Sequence, residues 1–149
     1  MATSLTPSMI EQAVQRLRPV VRRTPLEANE RLSDLLGCPV LLKREDSQLC
    51  RSYKVRGAFN LISALSPADQ RNGVVCASAG NHGQGVAFAC RRLGIRGRIF
   101  LPANTPRQKR ERIAVIGGDR VDVVVVGSTY DEASSAARWD SERTGAVYA

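Results

Sequence analysis

In the second half of the chain, apolar positions alternate between short unbroken runs and stripes spaced three and four apart. That alternation predicts strand–helix repeats. Gly73-Val-Val-Cys-Ala77, Gly97-Arg-Ile-Phe-Leu101 and Val121-Asp-Val-Val-Val-Val126 are bounded by turn residues and read as buried strands. Between them, Asn81 to Leu93 reads as a helix stopped by Gly94. Pro106 to Ile116 reads as a helix with proline at its first position and Gly117-Gly118 past its end. Ser128 to Arg143 reads as a helix opened by a Ser128–Asp131 capping box, and Ala146-Val-Tyr-Ala149 opens another strand. Repeats of this kind imply right-handed crossovers and an α/β fold, a parallel twisted sheet with helices on both faces.

The first half is less regular. Residues 1–7 read as a tail, and Ser8 to about Arg18 as an amphipathic helix with a Ser8–Glu11 capping box and an apolar stripe of Ile10, Ala13, Val14 and Leu17. Thr24-Pro-Leu-Glu27 is extended, since the residue before proline avoids helical backbone. Asn29 to Leu36 is a short helix ended by Gly37, and Pro39 to Arg44 a strand. Ser52 is the expected N-cap of a helix running to Leu65, with Val55, Ala58, Phe59, Ile62 and Leu65 as its apolar face. Pro67 to Gln70 is a turn or short helical piece.

Composition narrows the function classes. A net charge of +8 raises nucleic acid as a partner. The arginines are spread along the chain, however, and aromatic residues are 5%, too few for a stacking platform. The one dense cluster, Arg107, Lys109, Arg110 and Arg112, reads as a solvated helix face, with a basic cleft for a small anionic ligand as the alternative. No apolar run is long enough to span a membrane and no signal pattern opens the chain, so the expectation is a soluble cytoplasmic protein without membrane partners. Cys38, Cys50, Cys76 and Cys90 lack metal spacing and read as buried free thiols. With His82 the one histidine, a multi-histidine metal site is impossible, and no metal is expected. Gly80, Gly83 and Gly85 follow G-x-x-G-x-G, not the dinucleotide fingerprint, and no Walker sequence is present.

The chemistry-bearing candidate is Lys54 in Arg51-Ser-Tyr-Lys-Val-Arg-Gly-Ala58. At a helix start, beside Arg51 and Arg56, an ammonium ion is disfavoured, and partial burial acts in the same direction. A neutral amine attacks carbonyls to form imines. The plain alternative is a surface lysine on an amphipathic helix. His82 is likewise either a structural hydrogen-bonder or a catalyst.

Lys43-Arg-Glu-Asp46 followed by Ser52 to Ala58 resembles the cofactor-attachment site of the serine/threonine dehydratases, of the tryptophan-synthase-β-like fold type II. Ser47 and Cys50 replace the apolar residues more usual there. Ser78-Ala-Gly-Asn-His-Gly-Gln-Gly-Val-Ala87 is very similar to the asparagine loop of the same family. Pro102-x-x-Thr-Pro106-x-x-Lys109 and Gly127-x-x-Tyr-Asp131 extend the likeness over nearly the whole chain. The resemblance implies pyridoxal 5'-phosphate as cofactor, held as an imine by Lys54, with Asn81 on its ring hydroxyl oxygen. It also implies a substrate carboxylate cradled by Ser78, Gly80, Asn81 and His82, and a freed Lys54 that removes the α-proton.

The implied reaction is deamination of L-threonine, with L-serine as a related substrate, to 2-oxobutanoate and ammonia in isoleucine biosynthesis. Ala79 favours a dehydratase, because serine racemases carry serine there. The family's glycine-rich phosphate loop lies further along than these motifs, and the longest glycine run here is Gly117-Gly118. The expectation is therefore an N-terminal portion, with residues 1–50 in the large domain and 51–149 forming the small one, of an enzyme that is homo-oligomeric at full length. A non-catalytic basic module for an anionic ligand or nucleic acid is the alternative from a different class.

Overall fold

The computed structural model describes residues 4–149. The N-terminal part is a helix, α1 (Pro7–Leu17), followed by a small two-stranded sheet. The helix starts earlier than the Ser8 signal predicts. Thr6, in extended conformation, accepts the Met9 N–H on its hydroxyl, and Pro7 fills the first turn, where its missing N–H is harmless. Ser8 lies inside the helix and accepts from Gln12 instead. The expected tail thus gives way to helix at Pro7, and its first three residues lie outside the described ones.

Strand β1 (Leu26–Ala28) is followed by α2 (Glu30–Leu36), which Asn29 caps by accepting the Leu32 N–H and which Gly37 ends at φ 65°. Strand β2 (Leu41–Lys43) then pairs antiparallel with β1, Leu26 facing Lys43. It is shorter than predicted because β1 offers three residues to pair with. Among described residues before Cys50, only Thr24 and Gln48 are buried.

The core lies beyond residue 50. Helices α3 (Lys54–Ser63) and α4 (Pro67–Asn72) lead to β3 (Val74–Ala77), α5 (Asn81–Leu93), β4 (Gly97–Leu101) and α6 (Arg107–Gly117). Then come β5 (Val121–Val125), α7 (Tyr130–Thr144) and β6 (Val147–Tyr148). Strands β3 to β6 form one parallel sheet in the order β5-β4-β3-β6. Alternate residues of β3 and β4 serve opposite faces, as strand geometry requires. Val74, Cys76, Ile99 and Leu101 join Ala58, Phe59, Ile62, Val86, Cys90 and Ile113 of the α3, α5 and α6 layer. Val75, Ala77 and Phe100 meet Ala133 and Ala137 of α7. The apolar face predicted for α3 is buried at Val55, Ala58, Phe59 and Ile62, each valine or isoleucine contributing about 1.5–3 kcal/mol.

Two caps differ from expectation. The α7 capping box is Thr129 with Glu132, one residue later than predicted, and the Glu132 carboxylate also takes the Ser128 N–H and hydroxyl. Ser52 is buried and its hydroxyl accepts the Lys54 N–H, but helix α3 itself begins at Lys54. All four cysteines are free, and burial raises the Cys76 and Cys90 thiols to about 12 and Cys50 to about 11. Cys38 is exposed, contrary to expectation, because it follows the Gly37 turn at the surface. Among the described residues no helix is long and apolar enough to cross a membrane.

Candidate active site

The sheet changes direction at β3. The chain steps outward from β3 to β4 to β5, then returns to place β6 on the other side of β3. In open α/β sheets the crevice beyond the carboxyl ends of the strands at such a reversal is where ligands bind. The loop leaving β3 there is Ser78-Ala79-Gly80, which runs directly into α5.

Ser78 shapes this loop. Its hydroxyl oxygen accepts the N–H of Gly80 at 3.2 Å and of Gly83 at 3.0 Å. With both lone pairs engaged, the hydroxyl proton remains free to donate. The backbone N–H groups of Asn81 and His82, in the first turn of α5, find no acceptor among the described residues. The Asn81 side chain is exposed and unpaired, whereas the His82 ring is half-buried and its Nε2 donates to the Ala149 backbone oxygen at 3.1 Å. One hydroxyl, two N–H groups and an amide therefore converge at a helix N-terminus, a receptor suited to a carboxylate.

Lys54 reaches this region through a glycine. A Cβ built on Gly85, one turn into α5, would lie 3.1 Å from the Lys54 carbonyl carbon and oxygen and 3.2 Å from the Val55 nitrogen. Glycine thus lets the first turn of α3 rest directly on α5. The expected partial burial of Lys54 is not found. Val55 takes the core position and the lysine side chain is exposed, its Nζ 5.1 Å from the centroid of the Tyr53 ring. By contrast, Lys43 donates its ammonium to the Thr24 carbonyl.

The Lys43–Asp46 segment acts as a clamp. The Glu45 carboxylate accepts two bonds from Arg56, at 2.7 and 2.9 Å, and one from the Thr24 hydroxyl at 2.6 Å. It ties α3 to the segment leading into β1, and it neutralises one of the two arginines expected to act on Lys54. Arg56, with burial opposing and Thr24 assisting, holds the Glu45 carboxyl below its ordinary value. A carboxyl lowered in the folded state stabilises above its unfolded value and loses that contribution as pH falls through the folded value. Glu45→Gln should cost about 1.5–3 kcal/mol at neutral pH. Urea unfolding at neutral and acidic pH checks this: the gap between wild type and variant should narrow in acid.

The donor set fits a cofactor bearing an aldehyde and a ring oxygen: an unpaired primary amine at Lys54 and an unpaired amide at Asn81. Of the predicted site residues, Ser78, Asn81 and the His82 N–H are brought together, with Lys54 on the abutting helix. The Gly80 N–H is already engaged by Ser78. Gly85 carries the geometry; the sequence named it only within the G-x-x-G-x-G spacing and not as a site residue. Its one signal is a glycine inside a helix, tolerated there at a cost that points to a packing reason without naming the partner. A separate groove of about 510 Å³ between the distal halves of α5 and α6 contains none of these residues.

Residues 17–149 match the pyridoxal-phosphate-dependent enzyme family, and the chain belongs to it. It is 55% identical over 144 residues to the biosynthetic L-threonine dehydratase of Mycobacterium bovis, covering 97% of this chain and 34% of that protein. The biosynthetic L-threonine dehydratase of Bacillus subtilis is 48% identical over 128 residues, 86% of this chain and 30% of that one. Among solved structures, processed threonine deaminase isoform 2 from Solanum lycopersicum superposes with a TM-score of 0.84 at 41% identity, covering 98% of this chain and 43% of that one. Maize serine racemase superposes with a TM-score of 0.88 at 31% identity, covering 98% and 44%. The chain spans about a third of the length of the curated relatives it matches.

Proposed function

We propose that this chain supplies the lysine and the carboxylate receptor of a lyase that deaminates L-threonine, with L-serine as a related substrate, to the 2-oxo acid and ammonia in isoleucine biosynthesis. The observation that carries the reading is the seating of the Lys54 turn on Gly85, beside an α5 N-terminus with unpaired donors. Pyridoxal phosphate, when bound, supplies the electron sink that makes an α-proton acidic. Lys54 Nζ would hold it and would be the base placed to accept that proton. The Asn81 amide donates to the ring oxygen, while the Ser78 hydroxyl and the Asn81 and His82 N–H groups orient the substrate carboxylate. The Gly80 backbone shapes that receptor.

The reading includes a division near residue 50, supported by the scarcity of buried residues before it. It also includes a cytoplasmic enzyme, homo-oligomeric at its relatives' full length. A racemase is the second reading, favoured by the superposition on maize serine racemase. Ala79 argues for the lyase, since a methyl group carries no proton for the second face. A protein of the relatives' length containing this chain should convert L-threonine to 2-oxobutanoate. D-serine as the major product from L-serine, by chiral chromatography, would refute the lyase assignment.

A further inference from the structure

Strand β5 is an edge of the parallel sheet. It pairs with β4 on one side and with no described residue on the other. Between that edge and α6 runs a groove of about 390 Å³, bordered by Arg107, Arg110, Glu111, Ala114, Val123 and Val125. We propose that this edge receives an extended acidic segment of another protein, which adds a further strand to the sheet and lays apolar and carboxylate side chains into the groove. None of Lys54, Ser78, Asn81 and His82 borders the groove, so the surface stands apart from the crevice and does not rest on the lyase reading.

Backbone geometry is the first argument. The Val126 N–H donates to the Leu101 carbonyl of β4, and strand alternation gives Val124 and Asp122 the same direction. The N–H and C=O groups of Val123 and Val125 therefore point outward from the sheet, unpaired. Proteins blunt such edges with lysine, proline or a bulge. Val121–Val125 carries neither lysine nor proline, and its register with β4 is unbroken. Its one charge turns away from the groove: Val123 packs with the α5–α6 layer and Val124 with α7, which puts Asp122 on the α7 side. Val125 is 45% exposed at the groove itself.

Charge selects the occupant. Arg107 is engaged by Glu111 at 2.6 Å, whereas Arg110 takes part in no ion pair among the described residues. The first turn of α6 holds no acidic residue and its N-terminus has no side-chain cap, so the cations there face the positive end of the helix dipole. Carboxylates brought alongside relieve that repulsion, and the chain's net charge of +8 acts in the same direction. A second copy brings the wrong charge. Pairing β5 with itself about a two-fold axis lays both α6 helices on one face, each with two arginines for one glutamate that is already engaged. Ala114, Val123 and Val125 give the groove an apolar floor. Residues two apart in an added strand face it together, so a segment with apolar and acidic residues at alternate positions fits.

The probe is a capped peptide, Val-Thr-Glu-Thr-Val-Thr-Glu-Thr, titrated into the chain at low ionic strength and followed by NMR. Binding should saturate. Amide hydrogen exchange should slow at Val123 and Val125 but not at Asp122 or Val124, which already bond to β4. Replacing both glutamates of the peptide by lysine should weaken binding about tenfold or more, and Arg110→Glu should reverse that preference. Val125→Lys should weaken the glutamate peptide about tenfold with an unchanged melting temperature, since this side chain is already exposed. Val115→Lys, at a more exposed α6 position outside the groove, should change it less than twofold. Equal binding of the two peptides, or protection spread away from β5, would overturn the proposal. So would slow exchange at Val123 and Val125 before any peptide is added. Seen in the chain alone with a dimer on sedimentation, it assigns the edge to a second copy; seen in a protein of the relatives' length, it assigns the edge to another segment of that protein. Failure of the Lys54 reading leaves every one of these measurements unaffected.

Discussion

Lys54→Ala should abolish threonine deamination in a protein of the relatives' full length, by roughly 10³-fold or more. Loss of a positioned proton-transfer group alone removes about 10²–10⁴, and this residue is also the proposed covalent anchor. Neither other lysine can substitute. Lys43 is engaged by the Thr24 carbonyl, and Lys109 lies on α6 rather than on the helix that abuts Gly85. Borohydride reduction with one equivalent of pyridoxal phosphate, followed by peptide mapping, should place the label on the peptide containing Lys54. Production of 2-oxobutanoate gives the rate. A variant that keeps a tenth of the activity, or label collecting on Lys43 or Lys109, would exclude the assignment.

Gly83→Ala should be the most damaging single methyl group in the asparagine loop. Its Cβ would lie 2.4 Å from the Ser78 carbonyl oxygen, 3.3 Å from Ile113 Cδ1 and 3.4 Å from Ile99 Cγ2. The nearest atom is backbone, so the loop itself has to open, breaking the bond from the Gly83 N–H to the Ser78 hydroxyl. Overpacking of this kind costs about 1–3 kcal/mol, and loss of a helix cap about 1 kcal/mol more. Alanine recovers up to about 1 kcal/mol over glycine within a helix. The net of about 1–4 kcal/mol should lower the melting temperature by roughly 2–16 °C, at about 2–4 °C per kcal/mol for a domain of this size. Gly80→Ala is the control: its Cβ meets nothing within 4 Å and its φ is −120°. Equal melting of the two variants would remove the special role given to Gly83.

The elements that sequence placed best are those punctuated at both ends. Helix α5 runs from Asn81 to Leu93 and β4 from Gly97 to Leu101, as the glycines between and around them predict. Caps were less legible where hydroxyls crowd together. Thr6 and Ser8, or Ser128 and Thr129, are chemically equivalent candidates, and backbone conformation chooses between them. The β1–β2 pairing was hidden because strands of three exposed residues carry no alternation to read. In the site, the motif residues were visible but the packing was not. Nothing in Gly85 announces that it rests on Lys54, or in Gln84 that it orients Arg112, because each depends on a neighbouring helix. Lys54 itself proved exposed because the apolar stripe of α3 begins one residue later, at Val55.

The placement of β6 beside β3 sets an order of events during synthesis. Val74 pairs with Val147, so the ribosome makes the whole of α5, β4, α6, β5 and α7 between the two partners. At about 5–20 residues per second that interval is roughly 4–15 s. Throughout it the nascent loop at Ser78 borders an unpaired strand edge, and the His82 ring lacks its acceptor at Ala149. Contacts this distant in sequence form late and slowly. The crevice therefore takes shape only after β6 has emerged, and the unpaired β3 edge is the surface a chaperone would need to shield meanwhile.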